Sequence, residues 1–196
     1  MPFDPGGAPV TRSLRESNVA ALFALLDSTG DGQIAADDFK RIADGLCAAL
    51  APDPGSRQHQ AIQQLCAGWW EHIREDADVD GDAAVSEAEF VQAVDHLVAG
   101  HPQFQQMTLA LSCAGFDAAD IDEDGFISAP ELGRLFSALG IPHEVAEGAF
   151  AQLDTDGDGR ISRQEYAEGV WVLITSEDPD SPGSAILGQT RQAEAS

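Results

Sequence analysis

Four stretches of this chain carry side-chain oxygens at one repeated spacing. They run Asp27–Asp38, Asp78–Glu89, Asp120–Glu131 and Asp154–Glu165, each twelve residues long. Positions 1, 3, 5 and 12 are Asp27, Thr29, Asp31 and Asp38 in the first, and Asp78, Asp80, Asp82 and Glu89 in the second. They are Asp120, Asp122, Asp124 and Glu131 in the third, and Asp154, Asp156, Asp158 and Glu165 in the fourth. Position 8 is apolar throughout (Ile34, Val85, Ile127, Ile161), and position 6 is Gly32, Ala83, Gly125 or Gly159. Short carboxylates at 1, 3 and 5 of a tight loop converge on one point, and a longer acid at 12 can add two more oxygens. A hard cation such as Ca²⁺ takes about 6–8 oxygens at about 2.3–2.6 Å, without strict geometry. The backbone carbonyls of Gln33, Ala84, Phe126 and Arg160, at position 7, would complete the shells.

The elements that must hold these loops are legible on either side. Phe23, Phe116 and Phe150 stand four residues before the first Asp of their loops, while Phe39, Phe90, Leu132 and Tyr166 directly follow position 12. The helical spacing of the apolar residues beyond them predicts helices over 13–26, 36–50, 58–77, 87–99, 103–119, 129–139, 143–153 and 163–174. One acidic surface loop capping a helix could imitate this pattern, but four matching loops could not. On these features the repeats are identified as EF-hands; a dockerin-type repeat uses similar loops but lacks the entering helix. The position-8 residues predict short strands pairing neighbouring loops. The expected fold is all-α, with two EF-hand pairs (13–99 and 100–175) packed into one compact protein. Residues 1–12, rich in Pro and Gly, read as disordered. Gly100-His101-Pro102 should interrupt any continuous helix between the pairs, which disfavours a dumbbell.

The chain also resembles the sarcoplasmic calcium-binding proteins and their bacterial relatives of the calerythrin type, over residues 13–175. The resemblance rests on the loops, on Asp38 in place of Glu at position 12, and on the long first spacing. The Ala51-Pro-Asp-Pro-Gly-Ser56 segment accounts for that spacing. The segment Ile127-Ser-Ala-Pro-Glu-Leu132 is also similar to the third hand of calmodulin. The resemblance implies a calcium-binding protein acting as an intracellular buffer or store, or alternatively as a sensor for a protein target. Luciferin-binding and photoprotein relatives share the scaffold, so carriage of an apolar ligand is a third use.

The loops are not equal. Loops three and four have every feature intact and should bind most tightly. Loop two must place Ala83 where glycine is preferred, at about 1 kcal/mol, a fivefold to tenfold loss of affinity. A register running from Asp76 to Glu87 would put Ala83 at position 8; the register ending on Glu89 restores Val85 there and is preferred. Loop one has a neutral oxygen at Thr29, nothing to offer at Ala35, and an acid one methylene short at Asp38. It is expected to be weak, holding Mg²⁺ or nothing, so three to four Ca²⁺ are expected in all.

Composition narrows the rest. With 34 Asp plus Glu against 10 Lys plus Arg, the net charge is −24, which argues against nucleic acid or an anionic membrane as partner. No apolar run approaches the ~20 residues needed to span a bilayer. Residues 1–7 lack a basic n-region and an apolar h-region, so no signal peptide is expected. The three cysteines, Cys47, Cys66 and Cys113, are too few for a disulfide framework and favour a reducing, cytoplasmic setting. Cysteines on apolar helical faces read as core, and no catalytic constellation stands out, so no enzyme is expected. The two methionines, Met1 and Met107, cannot line the Met-rich groove of a sensor. His59, His72, His96, His101 and His143 show no metal-ligand spacing and read as surface or flank residues. Trp69-Trp70 reads as one ring inward and one on the helix flank. The default oligomeric state is a monomer. The tail, 176–196, is either solvated or sends Ile186 and Leu187 into an apolar cleft between the pairs.

Overall fold

The computed structural model describes residues 13–100, 112, 115–181, 184, 186 and 187. Helices α1 (Leu14–Leu26) and α2 (Ala36–Leu50) flank loop one, and α3 (Arg57–Ala77) and α4 (Glu87–Gly100) flank loop two. A helix α5, described over 115–119, enters loop three, and α6 (Ala129–Ala138) leaves it. Helices α7 (His143–Leu153) and α8 (Arg163–Thr175) flank loop four. Where both are described, the predicted and observed ends agree within a residue. The 1–12 segment, most of the predicted 103–119 helix, the break at His101-Pro102, Met107 and Cys113 lie outside the described residues.

Each loop contributes a two-residue strand. Strand β1 (Gln33–Ile34) pairs antiparallel with β2 (Val85–Ser86), and β3 (Phe126–Ile127) with β4 (Ile161–Ser162). Ile34 faces Val85 and Ile127 faces Ile161, all four fully buried. This is the loop-two register that ends on Glu89, and it locks the loops of each pair back to back.

The apolar faces then close on one another. Phe39 (α2) meets both tryptophans of α3, with ring centroids 5.9 Å from Trp69 and 6.0 Å from Trp70. Trp70 is buried and Trp69 lies on the flank, as the helix period requires. Phe23 packs on Phe90 at 5.8 Å, and Phe116 on Tyr166 at 6.0 Å. The two pairs are joined as α2 packs on α6 and α1 on α8. Between them lies an apolar cavity of about 190 Å³, walled by every exiting helix through Ile42 and Leu46, Phe90, Leu135, and Tyr166 and Val170. The exposed His72 stands at its edge, a placement that spacing along the chain did not reveal. Among the described residues no helix is long and apolar enough to cross a membrane.

Candidate metal centres

Each loop begins where a helix ends. The N–H groups of Asp27, Asp78, Asp120 and Asp154 donate to the carbonyls of Phe23, Arg74, Phe116 and Phe150 at 2.8, 3.1, 2.9 and 2.9 Å. A helix C-terminus carries partial negative charge, so an aspartate there is repelled unless a cation is beside it. The same aspartate organises its loop by accepting backbone N–H groups. Asp27 takes those of Gly30, Asp31 and Gly32, and Asp78 those of Gly81 and Ala83. Asp120 takes Asp124 and Gly125, and Asp154 takes Asp158 and Gly159. At position 5, Asp31, Asp82, Asp124 and Asp158 fix position 7 by accepting the N–H of Gln33, Ala84, Phe126 and Arg160 at 2.9–3.0 Å.

The chain turns through the left-handed region at positions 4 and 6. Glycine fills both in loops one and four. Ala83, at φ 66°, takes position 6 of loop two, and Glu123, at φ 58°, takes position 4 of loop three. Loop three therefore does not have every feature intact. It carries the same kind of backbone cost as loop two, about 1 kcal/mol, one turn position earlier.

At position 12 a single acid serves the loop and the exiting helix together. Glu89, Glu131 and Glu165 lie in the first helical turn, three residues after Ser86, Ser128 and Ser162. Glu131 Oε2 accepts the N–H and O–H of Ser128 at 2.9 and 2.7 Å, and Glu89 Oε2 accepts those of Ser86 at the same distances. Glu165 Oε2 accepts the Ser162 N–H at 2.8 Å. The other oxygen reaches back across the loop to the N–H of Val79, Ile121 or Thr155, at 3.4, 2.9 and 2.9 Å. This is a capping box, and the Ser-x-x-Glu spacing that announces it stands in the sequence beside the ligand pattern.

These donors set the charge. Burial pushes the Glu165 carboxyl up, but the Ser162 and Thr155 donors outweigh it and hold it at about 2. Burial likewise opposes ionisation at Glu131, where Ser128, Ile121 and Asp122 hold the carboxyl below its ordinary value. The Ser86 donors hold Glu89 low. Asp120 moves the other way, raised by burial and by the nearby charges of Asp124 and Glu131.

Three groups of carboxylate oxygens converge within 4.8 Å: Asp78, Asp80 and Asp82; Asp120, Asp122 and Glu131; Asp154, Asp156 and Glu165. Loop one gives no such group. Its Asp38 is buried and fully engaged, with Oδ1 taking the Thr29 N–H at 3.0 Å and the Ser28 hydroxyl at 3.2 Å, and Oδ2 taking the Ala35 N–H at 2.8 Å. A hard, oxygen-only donor set of high negative charge fits Ca²⁺ in loops two, three and four.

Residues 110–170 match the family model of an EF-hand domain pair. A solved structure described as the basis for prokaryotic calcium-mediated regulation by a Streptomyces coelicolor calcium-binding protein superposes with TM-score 0.72. It is 31% identical and covers 82% of this chain and 98% of its own. The chain belongs to the EF-hand calcium-binding proteins. This EF-hand protein is also 25% identical to calerythrin of Saccharopolyspora erythraea over 163 residues, which is 82% of this chain and 92% of calerythrin. A sarcoplasmic calcium-binding protein from amphioxus shares its fold, with TM-score 0.71 and 18% identity, covering 91% of this chain and 98% of the amphioxus chain. Both are of the kinds that its sequence resembles.

Proposed function

We propose that this EF-hand protein is a cytoplasmic, monomeric calcium buffer or store rather than a catalyst. Its ligands are the oxygens at positions 1, 3, 5, 7 and 12 of loops two to four. Loop one is held to be weak or Mg²⁺-filled. The observation that carries the reading is how the exiting helices use their apolar faces. Phe39, Phe90, Leu132, Leu135 and Leu173 are buried in one interior, and Val79 is the one large hydrophobic that stands exposed among the described residues. A sensor must instead present an adaptable apolar groove once loaded. Clustered carboxylates repel one another without metal, so binding should stabilise the fold.

The deciding measurement is calorimetric titration of the metal-free protein with Ca²⁺ in about millimolar Mg²⁺. Three or more sites with dissociation constants well below ~10⁻⁷ M, slowed or weakened by Mg²⁺, support a buffer. Fewer sites, cooperative and near ~10⁻⁶ M, overturn it in favour of a sensor. The sensor reading draws its support from the regulatory role ascribed to the similar Streptomyces coelicolor protein. Carriage of an apolar ligand has one observation in its favour, the cavity behind Tyr166 and Phe90.

A further inference from the structure

Two residues look misplaced until the C-terminal segment is considered. Asn18 sits in the middle of α1, on the face that buries Val19, and is 1% exposed. A buried amide is costly where its polar atoms go unpaired, and the Oδ1 of Asn18 has no partner among the described residues. Its Nδ2 donates to two main-chain carbonyls, Leu173 at 3.1 Å and Ser184 at 2.9 Å. The first belongs to the last turn of α8, where carbonyls lack helical partners. The second belongs to the tail. Gly169 stands inside α8, where glycine costs about 1 kcal/mol relative to alanine. A Cβ there would meet Leu153 Cδ2 at 2.1 Å and Ile186 Cδ1 at 3.3 Å. Glycine thus makes room first for Leu153 of α7, and Ile186, 6% exposed, is seated against the same spot.

The tail is fastened at its near end as well. Glu177 Oε1 accepts the Ser13 hydroxyl at 3.1 Å and faces Arg15 Nε at 3.4 Å. Arg15 also reaches Asp95 of α4, at 3.1 Å. Between the anchors, Ser184 donates its N–H to Ser181 and its hydroxyl to the Pro179 carbonyl, at 3.0 and 2.8 Å. A polar clasp at Glu177 and a main-chain bond at Ser184 thus tie the tail to the start of α1, while Ile186 plugs in beside α8 and α7 at Gly169 and Leu153.

We infer that this segment is a latch. It covers in cis the junction of α1, α7 and α8, its main chain held at Ser184 by Asn18 and its Ile186 side chain seated beside Gly169 and Leu153. While the latch is seated, that junction is closed to any partner. This extends the buffer reading but stands apart from it, because the latch can be present whatever the calcium affinities prove to be.

The test uses the full chain, loaded with Ca²⁺. Ile186→Asp should bind anilinonaphthalene sulfonate several-fold more strongly than the wild type, with its helical circular dichroism retained. A synthetic peptide of residues 176–187, added in trans, should displace that dye, and the same peptide carrying Ile186→Asp should not. Dye binding that the peptide leaves untouched would mean lost packing without a groove, and overturns the proposal; so does the absence of any gain. If Ile186→Asp loses its helical signal, Ile186→Ala is read in the same way. Independently of any variant, the Asn18 side-chain amide of the wild type should exchange its protons far more slowly than an exposed asparagine. Exchange at the exposed rate overturns the latch outright.

Discussion

Glu165 and Thr155 meet across the whole of loop four, with the Thr155 N–H and hydroxyl each donating to Glu165 Oε1 at 2.9 Å. With Oε2 held by Ser162, the carboxylate is positioned before any cation arrives. Glu165→Gln keeps the shape and removes the charge. Losing a charged contact worth about 1.5–3 kcal/mol should weaken loop four about tenfold to a hundredfold. In calorimetry one tight event should weaken while the others persist. Asp38→Asn should leave every tight event in place, because loop one gathers no convergent group. Loss of a tight event in Asp38→Asn would show that loop one is a strong site after all.

The same carboxylate makes the metal-free fold sensitive to acid. Its folded-state value, about 2, lies below the ordinary 4.5, so the stability it contributes is full above the unfolded value and disappears as pH falls from about 4.5 to about 2. Glu89 and Glu131 are lowered too and act in the same direction. In excess chelator, the urea midpoint of the wild type should fall more steeply over that interval than the midpoint of Glu165→Gln. Parallel curves for the two proteins would remove Glu165 from the account.

The carboxylates that converge, and the residues that fill position 8, were readable because coordination chemistry and strand pairing allow few substitutes. Helix limits followed for the same reason, since each loop starts on a C-cap aspartate and ends inside a first helical turn. Comparison of position 6 across the loops announced the left-handed turn at Ala83, but position 4 gave no such warning. Glu123 looks like one more acid in loop three, yet its φ of 58° makes it a strained turn residue. The roles of Asn18 and Gly169 were equally hidden, because Asn18 answers to the tail across the whole fold and Gly169 to Leu153 and Ile186 on other elements. Likewise His72 joins the cavity edge only once α3 is laid against the exiting helices.

Strain at Ala83 and Glu123 is testable by relief. Ala83→Gly should tighten loop two about fivefold to tenfold, the equivalent of about 1 kcal/mol at a left-handed position. Glu123→Gly should tighten loop three by less, since it also removes a negative charge from the neighbourhood of the ion. Both effects are read as shifts in the stepwise calcium constants of the single variants. An unchanged or weakened loop two in Ala83→Gly would mean that added chain entropy before binding outweighs the relieved strain.

The wall between α2 and α3 should behave as a rigid unit that calcium tightens. Phe39 is 1% exposed and spans both tryptophans, so Phe39→Ala should destabilise the loaded protein by about 3–5 kcal/mol and shift tryptophan emission to the red.

Cys66 gives a chemical readout of the same wall without altering it. Burial, assisted by the proximity of Cys47, pushes its thiol up to about 12, and the side chain is 2% exposed. The reactive species is the thiolate, so at pH 8 almost none exists in the closed state, and modification must wait for an opening that restores an ordinary thiol. Because metal binding favours the folded form, saturating Ca²⁺ should slow that opening further. Peptide mapping after iodoacetamide treatment should find Cys66 unmodified in loaded protein under conditions that label it in excess chelator. Rapid labelling of Cys66 in the calcium-loaded protein at pH 8 would show that α2 and α3 separate freely, and would remove the closed interior on which the buffer reading rests.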